Sequence, residues 1–399
     1  MTVEKQLEIL RRGTTEIISE DDLAEKLKLG RPLRIKLGVD PTAQDVTLGW
    51  AVVLRKLRDF QRLGHTACLI IGDFTAMIGD PSGKTKTRPE LERDVIRTNV
   101  ESIKKQLFKI LDPEKTEILY NRDWLGKMDF EAVIKLCSRY TVARVLERDD
   151  FTNRLRDNKP ISMHEILYPL CQGLDSVEIK ADVELGGNDQ KFNNLVGRDL
   201  QGQYDQQPQV VVLCPLLIGT DGKDKMSQSL DNFVSILAPP NDMFGKTMSI
   251  PDDLIESWFE LCTDVPMADV RDMLAEGKNP RDAKMRLAKE IVAIYHDTSA
   301  ADEAETYFVD TFSKGKQPVE AEEAAIPAEA INDEGQVGLA QLISTLGLAK
   351  SNGEARRLMK AGAVSIEREK VTDGFATFAP EDLKNKVLKV GKHQFRKIV

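Results

Sequence analysis

The sequence predicts an α/β fold with a doubly wound parallel sheet of the Rossmann type. Short, continuous apolar runs at 66–72, 117–120 and 209–214 are typical of parallel strands that are buried on both faces. Amphipathic stretches with helical spacing separate these runs, and this alternation favours a parallel sheet. In the segment 33–50 a strand-like run stops at residues 40–42, and a helix follows directly.

The segment 33–50 combines a strand, a tight turn and the first turn of a helix. Such a unit presents backbone N–H groups and the positive end of a helix dipole to a phosphate. It also occurs in α/β proteins as plain architecture, so the unit alone does not decide between the two interpretations. Three stretches further along the chain support a ligand site, namely 79–84, 186–190 and 225–229.

The helical segments follow from the spacing of their apolar residues. Beyond residue 49, the predicted helix carries Arg55, Lys56 and Arg58, which we expect on a solvated face. The other stretches predicted to be helical are 1–30, 91–110, 130–147, 161–172 and 250–310.

The length of 399 residues allows two or three domains. The segment 313–335 has two lysines, six acidic residues and two prolines, which is typical of a linker with little core. We therefore expect a sheet domain at 1–240 with a helical insertion at 120–160, a helical domain at 241–312, an acidic linker at 313–335 and a small α+β domain at 336–399.

The composition restricts the location and the chemistry of the protein. No run approaches the roughly 18 apolar residues of a membrane span, and the first residues lack the pattern of a signal peptide, so we expect a cytoplasmic protein. The five cysteines are scattered without a C-x-x-C pair, which indicates free, buried thiols rather than a zinc site or disulfides.

Charge is distributed unevenly along the chain. The net charge is −9, yet residues 336–399 contain twelve basic and six acidic residues, which gives this segment a net charge of about +6. A basic terminal domain on an acidic protein indicates an RNA partner.

The loop after residue 79 has some features of a phosphate-binding loop. Gly79, Gly83, Lys84 and Thr85 are one residue short of the G-x-x-x-x-G-K-T spacing, which argues against a P-loop. The loop does present Asp80 on a Pro-Ser-Gly turn, followed by a basic stretch. A solvated basic loop without a ligand is an equally good interpretation.

The predicted helix that contains Tyr168 and Gln172 has an unusual polar line. These two residues are four apart and therefore share a face, and Asp175 lies just beyond them. Polar side chains beside Leu167, Leu170 and Val177 indicate a ligand-binding face, although an exposed helix edge would give the same pattern.

The segments 33–50, 79–84, 186–190 and 225–229, in this order, resemble those of bacterial tyrosyl-tRNA synthetases, which are class I aminoacyl-tRNA synthetases. The resemblance extends over nearly the whole chain, and residues 338–399 are similar to S4-type RNA-binding domains. It implies that the sheet domain is catalytic and that the helical domain lies on the anticodon side. Implied partners are tyrosine, ATP, tRNA(Tyr) and a second copy of the chain.

The resemblance also implies roles for individual residues. Asp175 would accept a hydrogen bond from the phenol hydroxyl of tyrosine, while Asp80, Tyr168 and Gln172 would bind its α-ammonium group. The substrate would be ATP with Mg²⁺, without a metal held by the protein. Residues implied around ATP are Asp40, Gly49, Trp50, Gly187, Asp189, Gln190 and Gln228. Residues implied in catalysis are Thr42, Thr47, Lys84, Arg88, Lys225 and Gln228, and those implied in RNA binding are Arg356, Arg357 and Lys360.

Both signature motifs of the family are altered. Thr47-Leu48-Gly49-Trp50 replaces His-Leu/Ile-Gly-His, and Gln228 replaces the second lysine of Lys-Met-Ser-Lys-Ser. Each lost charge-assisted hydrogen bond is worth roughly 1.5–3 kcal/mol, so three losses could slow catalysis on the order of 10³–10⁶-fold. Two hypotheses remain: an active tyrosine–tRNA ligase, and a weakened or repurposed relative that binds tyrosine or RNA without efficient adenylation.

A homodimer is expected because the insertion has more apolar residues than one helical face uses. These residues are Val133, Ile134, Leu136, Val142 and Val145.

Overall fold

The chain forms two compact units, Met1–Ala304 and Glu305–Val399, which are described one after the other. The computed structural model describes residues 1–40, 45–80, 93–313, 322–332, 334–367, 369–391 and 394–399.

A six-stranded sheet forms the centre of the first unit, and its strand order is β1-β6-β5-β2-β3-β4. All neighbours are parallel except β1, which runs antiparallel to β6 at the edge. The doubly wound α/β prediction is therefore confirmed. The strands are β1 (Glu16–Ile18), β2 (Arg34–Val39), β3 (Thr66–Ile71), β4 (Thr116–Tyr120), β5 (Val183–Gly187) and β6 (Val210–Cys214).

The order of the strands reverses beside β2, because the chain continues through β3 and β4 on one side and through β5 and β6 on the other. In open α/β sheets, ligands bind at the carboxyl ends of the strands at such a reversal. The carboxyl ends of β2, β3 and β5 are therefore the expected place for a site.

Fifteen α-helices begin in the described part of the first unit. Those before β5 are α1 (Val3–Arg11), α2 (Glu20–Lys28), α3 (Leu48–Arg62), α4 (Arg93–Leu107), α5 (Arg122–Leu125), α6 (Phe130–Cys137), α7 (Val142–Val145), α8 (Asp149–Arg156) and α9 (Met163–Glu178). Those after β5 are α10 (Lys191–Gln203), α11 (Pro240–Met248), α12 (Ile255–Cys262), α13 (Met267–Met273), α14 (Pro280–Tyr295) and α15 (Thr298–Phe308).

Several expected helices differ from the structure. Residues 1–30 are not helical throughout, because the strand β1 separates α1 from α2. This strand pairs with β6, with Glu16 opposite Leu213 and Ile18 opposite Val211. The segment 130–147 forms the two helices α6 and α7, and α9 extends to Glu178 instead of ending at 172. The strand β4 is only half buried because it lies at the sheet edge.

The prediction that Arg55 and Lys56 lie on a solvated face of α3 is wrong, because both side chains are buried. The Lys56 Nζ donates to the carbonyl oxygens of Arg12 at 2.6 Å and Ile9 at 3.3 Å, so α1 covers this face. Arg55 forms an ion pair with Asp264. Long-range contacts, which local spacing does not reveal, therefore decide the burial of these cations.

A buried ion pair connects the two central strands. Lys36 of β2 and Glu184 of β5 are 0% and 1% exposed, and the Lys36 Nζ lies 2.8 Å from the Glu184 Oε1. The same Nζ donates to the Gln172 carbonyl and to the Ser176 Oγ, each at 2.7 Å. Glu184 also accepts from Ser176 and Gln209. Both charges are thus paired and hydrogen-bonded, which buried charges require.

The second unit contains a five-stranded sheet of order β10-β9-β12-β13-β7 and a two-stranded sheet of β11 and β8. The strands are β7 (Glu322–Ala324), β8 (Val337–Gly338), β9 (Val364–Ile366), β10 (Glu369–Lys370), β11 (Thr377–Phe378), β12 (Val387–Val390) and β13 (Gln394–Ile398). The α-helices that begin in its described part are α16 (Leu339–Thr345), α17 (Asn352–Lys360) and α18 (Pro380–Leu383).

The expected acidic linker at 313–335 differs from the structure in its second half. Strand β7 pairs in parallel with β13, and Ala330 is buried in the apolar core of the second unit. Residues 314–321 and 333 lie outside the described residues. Composition alone missed this pairing because an edge strand needs backbone hydrogen bonds and few apolar side chains.

We predict that Lys36→Met destabilises the first unit by about 3–5 kcal/mol, because it leaves the Glu184 carboxylate buried without its cation. The measurement is urea unfolding followed by tryptophan fluorescence, since Trp50, Trp124 and Trp258 all lie in this unit. The control is Lys36→Met/Glu184→Leu, which removes both charges and should recover much of the loss. Equal destabilisation by both variants would contradict the prediction.

Candidate active site

The candidate site begins at Asp40, which directly follows β2. One carboxylate oxygen accepts from the Tyr168 Oη at 2.7 Å, and the other accepts from the Thr75 Oγ1 at 3.2 Å. At Gly72, which follows β3, a Cβ would lie 2.1 Å from the Asp40 Oδ1. Glycine at 72 therefore lets two neighbouring strand ends approach each other closely at the reversal of strand order.

The helix α9 directs its polar line inward. Tyr168 and Asp175 are both buried, so the exposed-edge interpretation is wrong for these two residues. The half-buried Gln172 donates through its Nε2 to the Asn194 Oδ1 at 3.0 Å and to the Glu184 Oε1 at 3.2 Å. Tyr168 on this helix therefore contacts Asp40, and Gln172 contacts Glu184 of the buried ion pair.

Asp175 is a buried carboxyl group with two neutral hydrogen-bond donors. It accepts from the Trp124 Nε1 at 2.8 Å and from the Asn121 Nδ2 at 3.4 Å. Burial raises the pKa of Asp175 to about 7, although the positive charge of Lys36 and both hydrogen bonds oppose this rise. A carboxyl group in this setting can accept a hydrogen bond from a hydroxyl group of a ligand.

Asp80 contacts the residues that follow β5. Its Oδ2 accepts from the Gln190 Nε2 at 2.8 Å, and its Oδ1 lies 3.8 Å from the Nη2 of the buried Arg148. Asp80 and Gln190, which are predicted to bind tyrosine and ATP respectively, are therefore directly connected.

The two altered signature segments lie side by side. The amide of Gly49 donates to the Met226 Sδ at 3.2 Å, and a Cβ at Gly49 would lie 3.2 Å from the Met226 Cβ. The Gln228 Nε2 donates to the Asp45 carbonyl at 2.8 Å, and the Leu48 amide donates to the Val234 carbonyl at 2.9 Å. The loop around 226–234 is thus attached to the start of α3.

Thr47 and Trp50 have distinct positions at the start of α3. Thr47 is the N-cap residue, and its Oγ1 accepts from the Trp50 amide at 3.3 Å. Trp50 is 36% exposed, so its indole is not fully buried. The N-terminus of α3 therefore remains a positive dipole end beside the carboxyl end of β2.

Lys225 and Asp189 connect the second signature to the end of β5. The Lys225 Nζ lies 2.9 Å from the Asp189 Oδ2, and both side chains are partly exposed. A Cβ at Gly187 would lie 2.8 Å from the Asp189 Oδ1, so glycine allows Asp189 to fold back over the strand end. This pair provides a cation and an acceptor at the opening of the site.

Some predicted residues lie elsewhere or cannot be described. Thr42, Lys84 and Arg88 lie outside the described residues. Arg356, Arg357 and Lys360 are exposed on α17 of the second unit.

The sequence also led to expectations about metals, cysteines and membrane spans. Among the described residues, no group of three His, Cys, Asp or Glu side chains is arranged to hold a metal ion. All five cysteines are free, with Cys137 half buried and the other four buried. In the part of the chain that is described, no helix combines the length and apolar character needed to cross a membrane.

Sequence reasoning missed five polar residues around the site. Lys36 lies between Ile35 and Leu37, and Glu184 lies between Val183 and Leu185, so each is a charge flanked by apolar residues in a strand, which is a signal that could have found them. Asn121 directly follows β4 and Trp124 lies in α5 just beyond it, near a strand end where ligand-binding residues collect. No local signal marks Asn194, whose contact depends on the packing of α10 against α9.

Known proteins are similar to this chain over nearly its whole length. The family model for class I tRNA synthetases (W and Y) matches residues 28–313. The tyrosine–tRNA ligase of Mannheimia succiniciproducens is 50% identical, with 98% of this chain and 97% of the relative covered. That of Moorella thermoacetica is 51% identical, with 99% and 96% covered.

Solved structures with low sequence identity share the fold. A C-terminally truncated mitochondrial tyrosyl-tRNA synthetase of Aspergillus nidulans aligns with a TM-score of 0.64 at 21% identity, over 78% of this chain and 94% of that one. Together with the identity of about 50% to the curated ligases, the fold and the family model lead to one conclusion. The chain belongs to the tyrosyl-tRNA synthetase family of class I aminoacyl-tRNA synthetases.

Proposed function

We propose that the chain is an active tyrosine–tRNA ligase. It activates tyrosine with ATP to form tyrosyl-adenylate and pyrophosphate, and then transfers the tyrosyl group to the 3′ end of tRNA(Tyr). The observation that carries this proposal is the buried Asp175, which lies on the same helix as Tyr168 and Gln172 beside the reversal of strand order. Charging of tRNA belongs to protein synthesis, so we propose that the enzyme acts in the cytoplasm.

The pocket on α9 selects tyrosine by its phenol hydroxyl. Asp175 accepts a hydrogen bond from this hydroxyl, and phenylalanine would leave the buried carboxyl group without that partner, which is costly. Asp80, Tyr168 and Gln172 bind the α-ammonium group. This assignment is supported by the carboxylates of Asp40 and Asp80, which supply negative charge for an ammonium ion beside Tyr168.

The nucleotide binds where the two signature segments meet. Asp40, Gly49, Gly187, Asp189 and Gln190 surround the adenosine, with Trp50 beside it. Attack of the tyrosine carboxylate on the α-phosphate brings two anions together, so the site must supply cations and N–H donors. The N-terminus of α3 supplies the positive end of a helix dipole, while the amides of Leu48, Gly49 and Trp50 already donate to other groups. The side chains proposed to supply the donors are Thr42, Thr47, Lys84, Arg88, Lys225 and Gln228.

Mg²⁺ enters with ATP, bound to its phosphate oxygens, since Mg²⁺ is usually held by substrate phosphates rather than by an all-protein site. The ion would neutralise charge on the leaving pyrophosphate. Lys225, at the edge of the site, is positioned to add positive charge in the same region.

The second unit binds tRNA as an S4-type domain. Arg356, Arg357 and Lys360 are exposed on α17, and no ion pair engages them among the described residues. Exposed cations on one short helix are suited to RNA phosphates, which account for much of the affinity for nucleic acids.

A homodimer forms through the helical insertion. Phe130 and Ile134 share a face of α6 and are strongly exposed, and Val142 of α7 is exposed as well. Exposed apolar groups of this size indicate a protein interface. Leu136 and Val145, which the sequence-based argument also used, pack inside the first unit and do not contribute to this surface.

The altered signature is predicted to support catalysis. Wild-type protein should exchange pyrophosphate into ATP when tyrosine is present, and Thr47→His/Trp50→His/Gln228→Lys should change this rate by less than about tenfold. The reason is that nearby lysines such as Lys225 are proposed to supply the interactions that the signature lost, while Thr47 caps α3 and Gln228 holds the Asp45 carbonyl. The measurement is ATP–pyrophosphate exchange with and without tyrosine.

The opposite result would favour a weakened or repurposed relative. In that case wild type would show no exchange, and the triple variant would gain at least about 10³-fold, because three charge-assisted hydrogen bonds would have been restored.

Tyrosine recognition is predicted to depend on pH through Asp175. Its pKa is raised to about 7, so the carboxyl group becomes protonated as the pH falls below 7 and loses its charge-assisted hydrogen bond to the phenol. We expect kcat/KM for tyrosine to fall up to about tenfold per pH unit below 7, while the KM for ATP changes little. Asp175→Asn should bind tyrosine weakly and without this pH dependence. A parallel pH profile in wild type and variant would disprove the assignment.

The dimer is predicted to separate when charge is introduced on α6. Phe130→Glu/Ile134→Glu should sediment as a monomer at micromolar concentration, because two carboxylates would have to lose water at the interface. Glu131→Gln on the same helix is the control and should remain dimeric. Monomeric wild type would refute the proposed interface.

A further inference from the structure

Phe375 of the second unit is an exposed aromatic residue on a fixed turn. It is 69% exposed, and it does not take part in the apolar core of its unit. The Phe375 amide donates to the Asp373 Oδ1 at 2.9 Å, and the Ala376 amide donates to the Asp373 carbonyl at 3.2 Å. The Ala376 carbonyl in turn accepts from the Leu339 amide at 3.0 Å, which attaches the turn to α16. These hydrogen bonds fix the backbone of the turn that carries the ring, although the ring itself takes no part in the apolar core.

The guanidinium group of Arg356 lies beside this ring. Its Cζ is 4.4 Å from the ring centroid, which is a cation–π distance. The adjacent Gly374 is buried, and a Cβ there would lie 3.3 Å from the Arg356 Cβ and Cγ. The turn is thus fitted closely against Arg356, and two flat groups are held together at the surface.

The ring contacts a helix that carries three exposed cations. Arg356 shares α17 with Arg357 and Lys360, and all three are exposed. The nearest carboxylate on the turn, Asp373, already accepts the Phe375 amide. An aromatic ring next to a guanidinium plane and further cations is the combination that stacks on a base while binding the flanking phosphates.

We propose that Phe375 and Arg356 form a stacking platform for an unpaired base of the RNA substrate. Arg357 and Lys360 bind phosphates on either side of that base. This inference rests on the proposed tRNA-binding function of the second unit. It adds the Phe375 ring to the basic residues proposed for that function. RNA is favoured over a protein partner, because a single ring among cations is far smaller than a stable protein interface.

The test is equilibrium binding of tRNA(Tyr) to the full chain as a function of salt concentration. Phe375→Ala should weaken binding about 5- to 150-fold, since stacking of one base is worth about 1–3 kcal/mol. It should leave the slope of log K against log[salt] unchanged, because no phosphate contact is lost. Phe375→Trp should bind like wild type, whereas Phe375→Leu, which remains apolar without a π-face, should behave like the alanine variant.

Lys360→Ala is the matched charge control. It should weaken binding and reduce the salt slope by roughly 0.7–0.9, the value of one phosphate contact. Tyrosine-dependent pyrophosphate exchange should be unchanged in all of these variants, which shows that the first unit is intact.

Three outcomes would overturn the inference. If Phe375→Ala binds within twofold of wild type while Lys360→Ala is weakened, the platform is wrong and the proposed RNA-binding function stands. If Phe375→Leu binds like wild type, the ring acts as an apolar contact instead of a stacking surface. If neither Phe375→Ala nor Lys360→Ala changes tRNA affinity, the RNA-binding function proposed for this unit is wrong as well.

Discussion

The buried ion pair of Lys36 and Glu184 is the interaction on which the first unit depends. It joins the central strands β2 and β5, and it reaches the helix α9 through the Gln172 carbonyl and Ser176. A charge inside a sheet is tolerated only when its partners are fixed, so this pair determines how α9 lies against the sheet. Three of the four proposed tyrosine-binding residues, Tyr168, Gln172 and Asp175, are on the same helix. The stability of the core and the geometry of the pocket are therefore linked by one interaction.

The arrangement around this pair explains how two substrates could meet. The carboxyl ends of β2, β3 and β5 lie together where the strand order reverses. Glycine at 72 leaves room for the Asp40 carboxylate, and glycine at 187 leaves room for the Asp189 carboxylate. Asp175 lies on the side of the buried pair, and its pKa is raised by burial. The start of α3 lies on the other side, with its dipole end free of acidic residues in the first turn. One side therefore suits a hydroxyl group and the other suits phosphates.

The two altered signature segments remain in contact with each other. The backbone of Gly49 meets Met226, and Gln228 reaches the Asp45 carbonyl, so the two loops remain joined although both family histidines and one lysine are replaced. Thr47 retains a hydroxyl group and uses it as an N-cap. Relative to the family signatures, two histidines and one lysine are replaced by uncharged side chains, and the contact between the two loops does not depend on those charges.

The sequence by itself determined the strands β2, β3, β4 and β6, the helix after β2 and the polar line of Tyr168, Gln172 and Asp175, because these follow from local spacing of apolar and polar residues. It did not reveal the burial of Arg55 and Lys56, the strand β1, or the strand β7 inside an expected linker, since each depends on a partner distant in the chain. The same holds for the site: Asp175 was found from helical spacing, whereas its donors Asn121 and Trp124 came only from the fold. Local pattern specifies which face of an element is polar. Only the tertiary structure decides whether that face meets water, a buried charge or a ligand, because burial and pairing of charges are properties of residues that the fold brings together.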